Sequence, residues 1–439
     1  MIMSELLGET EAFVEVVQQQ FEESNTWDMA TLECGLREAL LKDGCRILEG
    51  LLNQPNALGN HAPVGTLHEK RTKRVQSLLG SFELSRGYYQ TAAGRMFAMD
   101  KVLGLTDSYT PGLAKMMCRA AGTDGAYDEA EETLRIYAGV SVPSSQIRKM
   151  VQQIGPDIET WSHDREETRC GAAPTLYVSY DGTGVPMRKV ETQNRKGKQP
   201  DGTSKGREVK LGSVFTSLKF DDEGYPIRDP DSTTYVASFE EAKEFGALIR
   251  QEARLRGLAC ARRVSVLGDG ARWIWNLARI NFPNATQILD FYHACEHLTV
   301  LASALFPNNG AKASSQVKKW TKWLENDNVF KLVAEAKKAL PHHGPRRKTA
   351  SCEIGYFKRN AQRMMYATFR KQGYFIGSGV VEAGCKAVVG KRTKQSGMFW
   401  RIYGAQNILN IRCSIISKTY DNYWIHRRQC QLMELKAAA

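Results

Sequence analysis

Apolar residues near the start of the chain recur at intervals of three and four. Residues 9–53 carry two successive apolar stripes, Phe13, Val16, Val17 and Phe21, and then Leu32, Leu36, Leu40, Leu48 and Leu51 or Leu52. This spacing places each stripe on one face of a helix. It predicts an acidic helical region over 1–60, packed as a helical hairpin, with a dimerisation element as the alternative interpretation.

Residues 61–165 combine two other patterns. The run RVQSLLGSFELSRGYYQ (74–90) mixes β-branched and aromatic residues with Gly, which is typical of a short hairpin. From Tyr127 the spacing becomes helical again and breaks at Pro143. A second helix follows, which Ser144 or Ser145 can cap.

The second helix of this pair would expose donors that reach base edges or phosphates in a DNA major groove, namely Gln146, Arg148, Lys149 and Gln152. A helix-turn-helix DNA-binding element is therefore one interpretation of the pair. An ordinary packed helix pair is the other.

Residues 166–307 alternate between strand and helix patterns. The predicted order is three strands, helix, strand, helix, strand and helix, in the segments LYVSYD, VKLGSVFTSLKF, Thr233–Ser238, 240–256, RVSVLGD (263–269), ARWIWNLARINF, TQILDFYH (286–293) and HACEHLTVLASAL. We expect DGTG (181–184) to turn out of the first strand. This order predicts a layered, ribonuclease H-like sheet in an α+β/α multi-domain chain. Residues 308–372 predict a helical insertion, and 373–439 complete the core.

The composition is that of an ordinary globular protein. Of 439 residues, 42% are hydrophobic and 25% are charged, which excludes a disordered or fibrous chain. No stretch approaches 18 uninterrupted apolar residues, and Glu5, Glu9 and Glu11 lie where a secretory signal would be basic and then apolar. We therefore expect an intracellular protein without a membrane partner.

The net charge of +12 is distributed unevenly. Residues 1–60 hold 11 acidic and three basic residues, a net charge of −8, so the remaining residues carry +20. Three stretches are strongly basic, namely 188–210, with a net charge of +5, 346–371 and 386–401. Such a surface favours a polyanion, nucleic acid before a membrane. In these stretches we expect DNA contacts from Lys196, Lys198, Lys391, Arg392 and Lys394.

The ten cysteines are far apart, and none forms the C-x-x-C pair that brings two thiolates onto one zinc ion. They are expected to be buried thiols in a reducing compartment. Zinc is therefore not expected.

Three acidic residues have the placement that a two-metal site requires. Asp181 lies on the first strand of the predicted sheet, Asp269 at the end of the fourth, and Glu382 at the start of a late helix. Carboxylates from separate elements can hold two Mg²⁺ ions about 3.5–4 Å apart in phosphodiester chemistry. Acids at strand ends and helix starts are also common for structural reasons. Glu353 and Glu296 are the alternatives for the third ligand.

Three segments carry a family resemblance: YVSYDGTGVP, LGDGARWIWNLARINFPNATQILDFYHACEHL and GSGVVEAGCKAVVGKRTKQSGMFW. They resemble the catalytic blocks of bacterial insertion-sequence transposases of the ISKra type, relatives of the Mutator-like DDE transposases. The likeness covers roughly residues 75–415. It implies a ribonuclease H-like catalytic domain with a helical insertion, and a DDE triad that uses Mg²⁺ or Mn²⁺, formed by Asp181, Asp269 and Glu382.

The same resemblance places Asp290 and His293 on the D-x-x-H motif found near the second acid of related transposases. The chain departs from the family at one point. Relatives often carry C-x-x-C after paired tyrosines, whereas this chain has YYQTAAG, with Gln90 and Ala93 in the cysteine places. A zinc ribbon is therefore not expected.

Two short motifs allow other interpretations. His293, Glu296 and His297 match H-x-x-E-H, the inverted zinc-protease motif. DGTG could be the phosphate-binding turn of an actin-like ATPase, although a second such turn is missing. Among the aromatic residues, four are expected in the core rather than as platforms for base stacking, namely Trp273, Trp275, Trp320 and Trp323.

Together these patterns predict a DNA transposase. Its expected partners are double-stranded DNA, as the terminal repeats of its element and as target DNA, and further copies of itself in a homodimer or larger homo-oligomer. The expected location is the bacterial cytoplasm, at the nucleoid. The alternative is a transposase-derived DNA-binding protein that retains the acids without catalysis.

Overall fold

The chain folds into two compact units. A computed structural model describes residues 7–24, 26–55, 57, 65–91, 94–165, 175–197, 199 and 202–438. Unit 1 comprises Met1–Pro156 and Thr419–Ala439, and unit 2 comprises Asp157–Lys418. In the described part of the chain, no helix combines the length and the apolar character needed to cross a membrane.

Unit 1 begins with the helical hairpin that the apolar stripes predict. Helix α1 spans Gly8–Ser24 and helix α2 spans Met29–Leu52. The buried carboxylate of Asp43 on α2 accepts hydrogen bonds from the amides of Glu9 and Thr10, at 3.1 and 2.8 Å. These bonds satisfy free amides in the first turn of α1 and join the two helices.

A three-stranded antiparallel sheet follows. Strand β1 covers Thr66–Ser77, β2 covers Gly80–Thr91 and β3 covers Gly94–Phe97, in the order β1-β2-β3. The hairpin is therefore longer than the short one predicted for 74–90. Residues 66–72 are all exposed and mostly polar, so they lack the apolar alternation from which a strand is predicted.

Five helices complete unit 1, namely α3 (Ala98–Val102), α4 (Pro111–Thr123), α5 (Tyr127–Thr133), α6 (Ser144–Asp164), which continues into unit 2, and a C-terminal helix (Tyr420–Ala438). The sequence grouped the C-terminal helix with the catalytic core, and this grouping stays a prediction, whereas the compact units place the helix in unit 1. The phenol of Tyr420 is buried and donates a hydrogen bond to the Lys115 carbonyl, 2.6 Å away. The helix therefore packs within unit 1.

Unit 2 is built on a six-stranded mixed sheet, which consists of β4 (Thr175–Pro186), β5 (Gly206–Phe220), β6 (Pro226–Arg228), β7 (Thr234–Ser238), β8 (Val264–Gly268) and β9 (Thr286–Leu289). The strand order is β6-β5-β4-β8-β9, and β7 also pairs with β5. Strand β5 pairs in antiparallel fashion with β4, β6 and β7. Strand β8 lies between β4 and β9 and is parallel to both.

The helices of the sheet region follow the predicted order. After the short α7 (Lys189–Thr192), α8 (Ala242–Leu255) connects β7 to β8, α9 (Arg272–Asn281) connects β8 to β9, and α10 (Phe291–Leu305) follows β9. Amphipathic helices that alternate with parallel strands cover the apolar faces of the sheet. The mixed α/β architecture expected from the sequence is therefore present.

Two predicted boundaries are wrong. Strand β4 runs unbroken through DGTG, where Gly182 and Gly184 pair with β5, so this segment forms neither a turn nor the phosphate-binding turn of an actin-like ATPase. Strand β9 ends at Leu289 instead of His293. The Asp290 side chain accepts a hydrogen bond from the His293 amide, 2.7 Å away, and thereby starts α10 at Phe291, two residues earlier than the apolar pattern suggests.

The predicted insertion is helical, but it is not a separate layer. It contains α11 (Gly310–Glu325), α12 (Val329–Lys338), α13 (Pro345–Asn360) and α14 (Tyr366–Lys371). Its buried side chains belong to the same apolar cluster as the sheet, as illustrated by Trp320, Leu332 and Phe357 beside Val178 and Leu267. One core therefore stabilises the insertion and the sheet together.

The four tryptophans lie in this core or against it. Trp320 and Trp275 are 0% and 5% exposed. Trp273 and Trp323 are partly buried and pack against the same cluster. The prediction that these residues are core rather than stacking platforms is confirmed.

The chain after the insertion contains an unusual helical run, made of α15 (Gly379–Gly384), a π-helical segment (Cys385–Gly390), α16 (Lys391–Thr393) and, after a loop, α17 (Ile402–Ile416). The buried guanidinium of Arg412 donates hydrogen bonds to the carbonyls of Val388, at 2.7 Å, and Ala387. Burial lowers the pKa of Arg412 to about 10. The group is still charged at neutral pH, so these bonds stabilise the π-helical segment.

The shared core makes a direct prediction about stability. Because the Trp320 indole is 0% exposed, Trp320→Ala should lower the free energy of unfolding by about 3–5 kcal/mol. Urea denaturation measures this value. Phe330→Ala, at a side chain that is 66% exposed on α12, is the matched control and should cost less than about 1 kcal/mol. Similar losses in the two variants would contradict a core shared by the insertion and the sheet.

Candidate active site

Asp269 and Asp290 directly follow the carboxyl ends of the parallel strands β8 and β9, and Asp181 lies within the neighbouring parallel strand β4. Ser179 pairs with Leu267, so Asp181 and Asp269 each lie two residues further along adjacent strands. Gly268 pairs with Leu289, which places Asp290 at the level of Asp269. Adjacent strands lie about 4.8 Å apart. The register therefore brings together the two strand-borne acids that sequence analysis selected.

Asp181 is partly buried within β4. Its Oδ1 atom accepts a hydrogen bond from the Gly182 amide, 2.7 Å away. Burial raises the pKa of the Cys385 thiol, and the Asp181 carboxylate, to which that thiol is hydrogen-bonded, raises it further. Cys385 thus stays a neutral thiol at neutral pH and connects β4 to the helical run that carries Glu382.

Asp269 is partly buried in the loop after β8. Its Oδ1 atom accepts a hydrogen bond from the Ala271 amide, 2.8 Å away. This bond shapes the turn that leads into α9 and leaves Oδ2 for another partner. The carboxylate therefore lies in an ordered turn at the strand end.

Asp290 is wholly buried. Its two carboxylate oxygens accept hydrogen bonds from different segments, Oδ1 from the His293 amide and Oδ2 from the Ser378 amide. Its own amide donates to the Gly268 carbonyl, 2.8 Å away. Asp290 is thus a helix cap that also attaches the segment before α15 to the strand ends.

Glu382 lies on α15, in the segment that Asp290 holds. The Ser378 hydroxyl donates a hydrogen bond to Glu382 Oε1, 3.0 Å away. One potential metal-binding set is found among the described residues, with ligand atoms of Asp290, His293 and Glu382 all within 4.8 Å of one another. Two carboxylates and one imidazole can coordinate a divalent cation.

The composition of this set differs from the predicted one. Sequence analysis expected Asp181 and Asp269 to share a cation with Glu382, but Glu382 instead lies with the D-x-x-H residues Asp290 and His293. The hydrogen bonds described above explain the difference, because Ser378 joins Glu382 to Asp290. The structure therefore brings the five predicted site residues to one end of the sheet without placing the triad in a single ligand cluster.

The zinc-protease interpretation does not fit the structure. His297 Nδ1 lies 2.6 Å from Glu353 Oε2, whereas His293 lies with Asp290 and Glu382. The two histidines therefore face different partners. The side chain of Glu296 is 75% exposed and Glu353 is engaged by His297, so neither of these alternatives for the third ligand joins the described set.

Sequence analysis missed two residues that organise the site. Ser378 binds both Asp290 and Glu382, and its place before an apolar helix is a recognisable cap signal. Cys385 follows Glu382 by three residues, the spacing that puts two side chains on one helical face. Their distant partners, Asp290 for Ser378 and Asp181 for Cys385, lie too far away in sequence for a local pattern to predict these contacts.

The four residues predicted to contact DNA from α6 lie near its start. Arg148, Lys149 and Gln152 are exposed and Gln146 is partly exposed, whereas the apolar positions between them are buried. Lys149 Nζ lies 2.9 Å from the Asp107 carboxylate, and a hydrogen bond from Lys149 lowers the pKa of Asp107. The polar face is exposed, and its contact with DNA stays a prediction.

Three of the DNA contacts predicted in the basic stretches are exposed, namely Lys196, Lys391 and Lys394. Lys198 lies outside the described residues. Arg392 is 0% exposed, and its guanidinium carbon lies 5.1 Å from the centroid of the Trp400 ring. The prediction that Arg392 contacts DNA is therefore wrong, because α16 turns this side chain into the core.

The segment QSGMFW after Glu382 borders the same end of β4. The Trp400 amide donates to the Pro186 carbonyl, 3.1 Å away, and the Arg188 amide donates to the Trp400 carbonyl, 2.9 Å away. Lys394 Nζ donates to the Thr183 hydroxyl, two residues from Asp181. An exposed cation therefore lies beside the strand that carries the first acid.

The cysteine prediction is only partly correct, and the expectation that zinc is not bound stays a prediction. Of the described cysteines, all free thiols, Cys45, Cys118 and Cys413 are buried and the others are partly or fully exposed, so the expectation of uniformly buried thiols is wrong. Gln90, in one of the cysteine places, lies on β2 and accepts a hydrogen bond from Arg95 Nε, 2.9 Å away. Ala93 lies outside the described residues.

A weak likeness to a known protein is found among solved structures. Neither a protein-family model nor a curated protein matches the chain. Among solved structures, the Drosophila P element transposase strand transfer complex is similar with a TM-score of 0.26 and 9% identity, over 71% of this chain and 80% of that chain. A TM-score this low does not define a common fold.

The buried position of Asp290 leads to a second prediction. Asp290→Ala would leave the amides of His293 and Ser378 without their acceptor, so it should lower the free energy of unfolding by about 2 kcal/mol. The matched control is Asn309→Ala, which removes the exposed cap that accepts from the Lys312 amide of α11 at 2.8 Å. It should cost about 1 kcal/mol or less. Urea denaturation compares the two, and equal losses would contradict the joining role of Asp290.

Proposed function

We propose that this chain is a DNA transposase of the insertion-sequence DDE type, with unit 2 as a ribonuclease H-like catalytic domain. The observation that carries the proposal is the level placement of Asp181 and Asp269 on adjacent parallel strands. Glu382 lies on the helical run that also contacts Asp181 through Cys385. An acidic, oxygen-rich strand end next to exposed lysines suits chemistry on a phosphodiester.

The topology supports the ribonuclease H-like assignment. Four strands, in which β5 is antiparallel to β4, β6 and β7, are followed by helix, strand, helix, strand and helix. The first strand, β4, lies in the middle of the sheet between β5 and β8. The helices α11 to α14 separate the second acid from the third. This is the arrangement that the family resemblance implies for a catalytic domain with a helical insertion.

In the proposed reaction, Asp181, Asp269 and Glu382 would hold Mg²⁺ or Mn²⁺, and Asp290 and His293, whose ligand atoms lie within 4.8 Å of that of Glu382, would offer further ligands. A bound divalent cation supplies Lewis acidity to the attacking and leaving oxygens of the phosphodiester. Carboxylate oxygens are the donors that these ions prefer. Asp290 also positions Glu382, since both bind Ser378.

The DNA partner follows from charge. Residues 61–439 carry a net charge of +20, and Lys196, Lys391 and Lys394 are exposed in unit 2. We infer that double-stranded DNA, as terminal repeats and as target, binds these lysines and the polar face of α6, and that the active form is a homodimer or larger assembly. Lysine contacts to phosphates provide affinity, whereas base contacts provide sequence recognition.

The central test uses the triad. Asp181→Ala, Asp269→Ala and Glu382→Ala should each abolish Mg²⁺-dependent cleavage and strand transfer on DNA that carries the repeats flanking the reading frame. A metal site acts as a unit, so each single variant should lose activity by about 10³-fold or more. Gel-shift affinity for the same DNA should be retained or slightly increased, because an acid near the backbone is removed.

Asp222→Ala, in an exposed turn of unit 2, is the control and should keep full activity. If the unmutated protein binds the repeats but neither cleaves nor joins them with Mg²⁺ or Mn²⁺, the transposase proposal fails. The chain is then better described as a transposase-derived DNA-binding protein. Retained activity in Glu382→Ala alone would instead show that the third acid is misassigned.

Salt dependence tests the lysines. Each phosphate contact contributes about 0.9 to the slope of log Kd against log salt concentration on duplex DNA, so Lys391→Ala/Lys394→Ala should reduce this slope by about 1.8. Fluorescence anisotropy at several salt concentrations measures it. Lys243→Ala, an exposed cation on α8, should leave the slope unchanged. An unchanged slope in the double variant would exclude these two lysines from the DNA contact.

A further inference from the structure

The loop that carries Asp269 is in direct contact with the helical insertion. The phenol of Tyr356 on α13 donates a hydrogen bond to the backbone carbonyl of Asp269, 2.9 Å away. The next residue, Gly270, has a φ of +98°, and a Cβ atom there would lie 2.6 Å from the Tyr356 oxygen. Both the backbone conformation and the close approach therefore require glycine at this position.

The Tyr356 ring itself is held by a second contact, with α10. The His297 ring on α10 stacks on it, with centroids 3.8 Å apart and an angle of 22° between the planes. His297 Nδ1 lies 2.6 Å from Glu353 Oε2, and Glu353 precedes Tyr356 by three residues, about one turn, on α13. The side chain of Glu353 is only 14% exposed. Glu353 and His297 thus fix the ring between α10 and α13.

The phenol of Tyr356 is a hydrogen-bond donor to the backbone of the Asp269 loop. Its proton is directed at the Asp269 carbonyl, so the phenol orders the backbone and does not compete for the Asp269 side chain.

We propose that Tyr356 is a positioning residue through which the helical insertion fixes the Asp269 loop and so sets the affinity of the site for its divalent cation. The inference rests on the proposed function, because it treats Asp269 as a cation ligand. A ligand held in place before binding loses less conformational freedom when the cation arrives. His297, which belongs to the H-x-x-E-H motif, thereby contributes to holding the Tyr356 ring in place.

Tyr356→Phe tests the inference with the whole protein, since it removes the hydroxyl and keeps the ring in its stack. Hydrogen–deuterium exchange of the peptide covering 268–273 should become about three- to tenfold faster, as expected for the loss of one hydrogen bond. The dissociation constant for Mn²⁺, measured by electron paramagnetic resonance without DNA, should rise about three- to tenfold. DNA affinity and melting temperature should stay near those of the control Tyr225→Phe, at an exposed turn residue.

The outcomes separate the two proposals. If Tyr356→Phe matches the control in both exchange and Mn²⁺ affinity, the positioning role is overturned. Loss of Mn²⁺ binding in Asp269→Ala would then still support the proposed function. Faster exchange with unchanged Mn²⁺ affinity reduces Tyr356 to a structural contact and also overturns the inference. Absence of Mn²⁺ binding in the unmutated protein overturns both proposals.

Discussion

The arrangement of the site depends on one buried carboxylate, that of Asp290. Burying a carboxylate is costly unless hydrogen bonds replace its water. Here its partners are the amides of His293 and Ser378, and its own amide binds Gly268 at the end of β8. Three segments that are far apart in sequence must meet before these groups are satisfied. Glu382 lies beside the strand ends because its helix begins directly after Ser378, whose amide binds the Asp290 carboxylate.

The insertion is part of the same physical unit as the sheet. Trp320 and Phe357 lie in one apolar cluster with the sheet residue Val178, and Tyr356 reaches the loop after β8. A helical segment interrupting a catalytic fold is often pictured as an accessory that could be removed. In this chain its removal would expose the face of α10 that packs against α11 and α13, and would release the Asp269 backbone.

Much of the fold could be predicted from local patterns, but the ligand grouping could not. Elements with strong apolar periodicity, such as α2 and β8, were predicted nearly at their observed bounds. The start of β1 and the course of β4 through Gly182 depend on backbone pairing, which leaves no apolar pattern. The strand patterns predicted that Asp181 and Asp269 lie on neighbouring elements of the sheet, and the register of β4 and β8 places them at the same level. The association of Glu382 with Asp290 depends on a hydrogen bond between residues 88 positions apart, and no spacing rule encodes it. The burial of Arg392 could not be predicted from the sequence either, since a run of charged residues is ordinarily exposed.

The π-helical segment after Glu382 has a consequence for how this protein can vary in length. Because each of its hydrogen bonds spans five residues instead of four, it holds an extra residue, and Arg412 donates hydrogen bonds to the carbonyls of Ala387 and Val388 within it. Deleting one residue from 385–390 would restore an ordinary α-helix, yet it would rotate everything after it, including the exposed Lys394, relative to Glu382. The π-helical segment therefore fixes the rotation of the exposed Lys394 relative to Glu382 about the helix axis. Homologous chains should differ in length at surface turns such as 221–225, and hardly ever here.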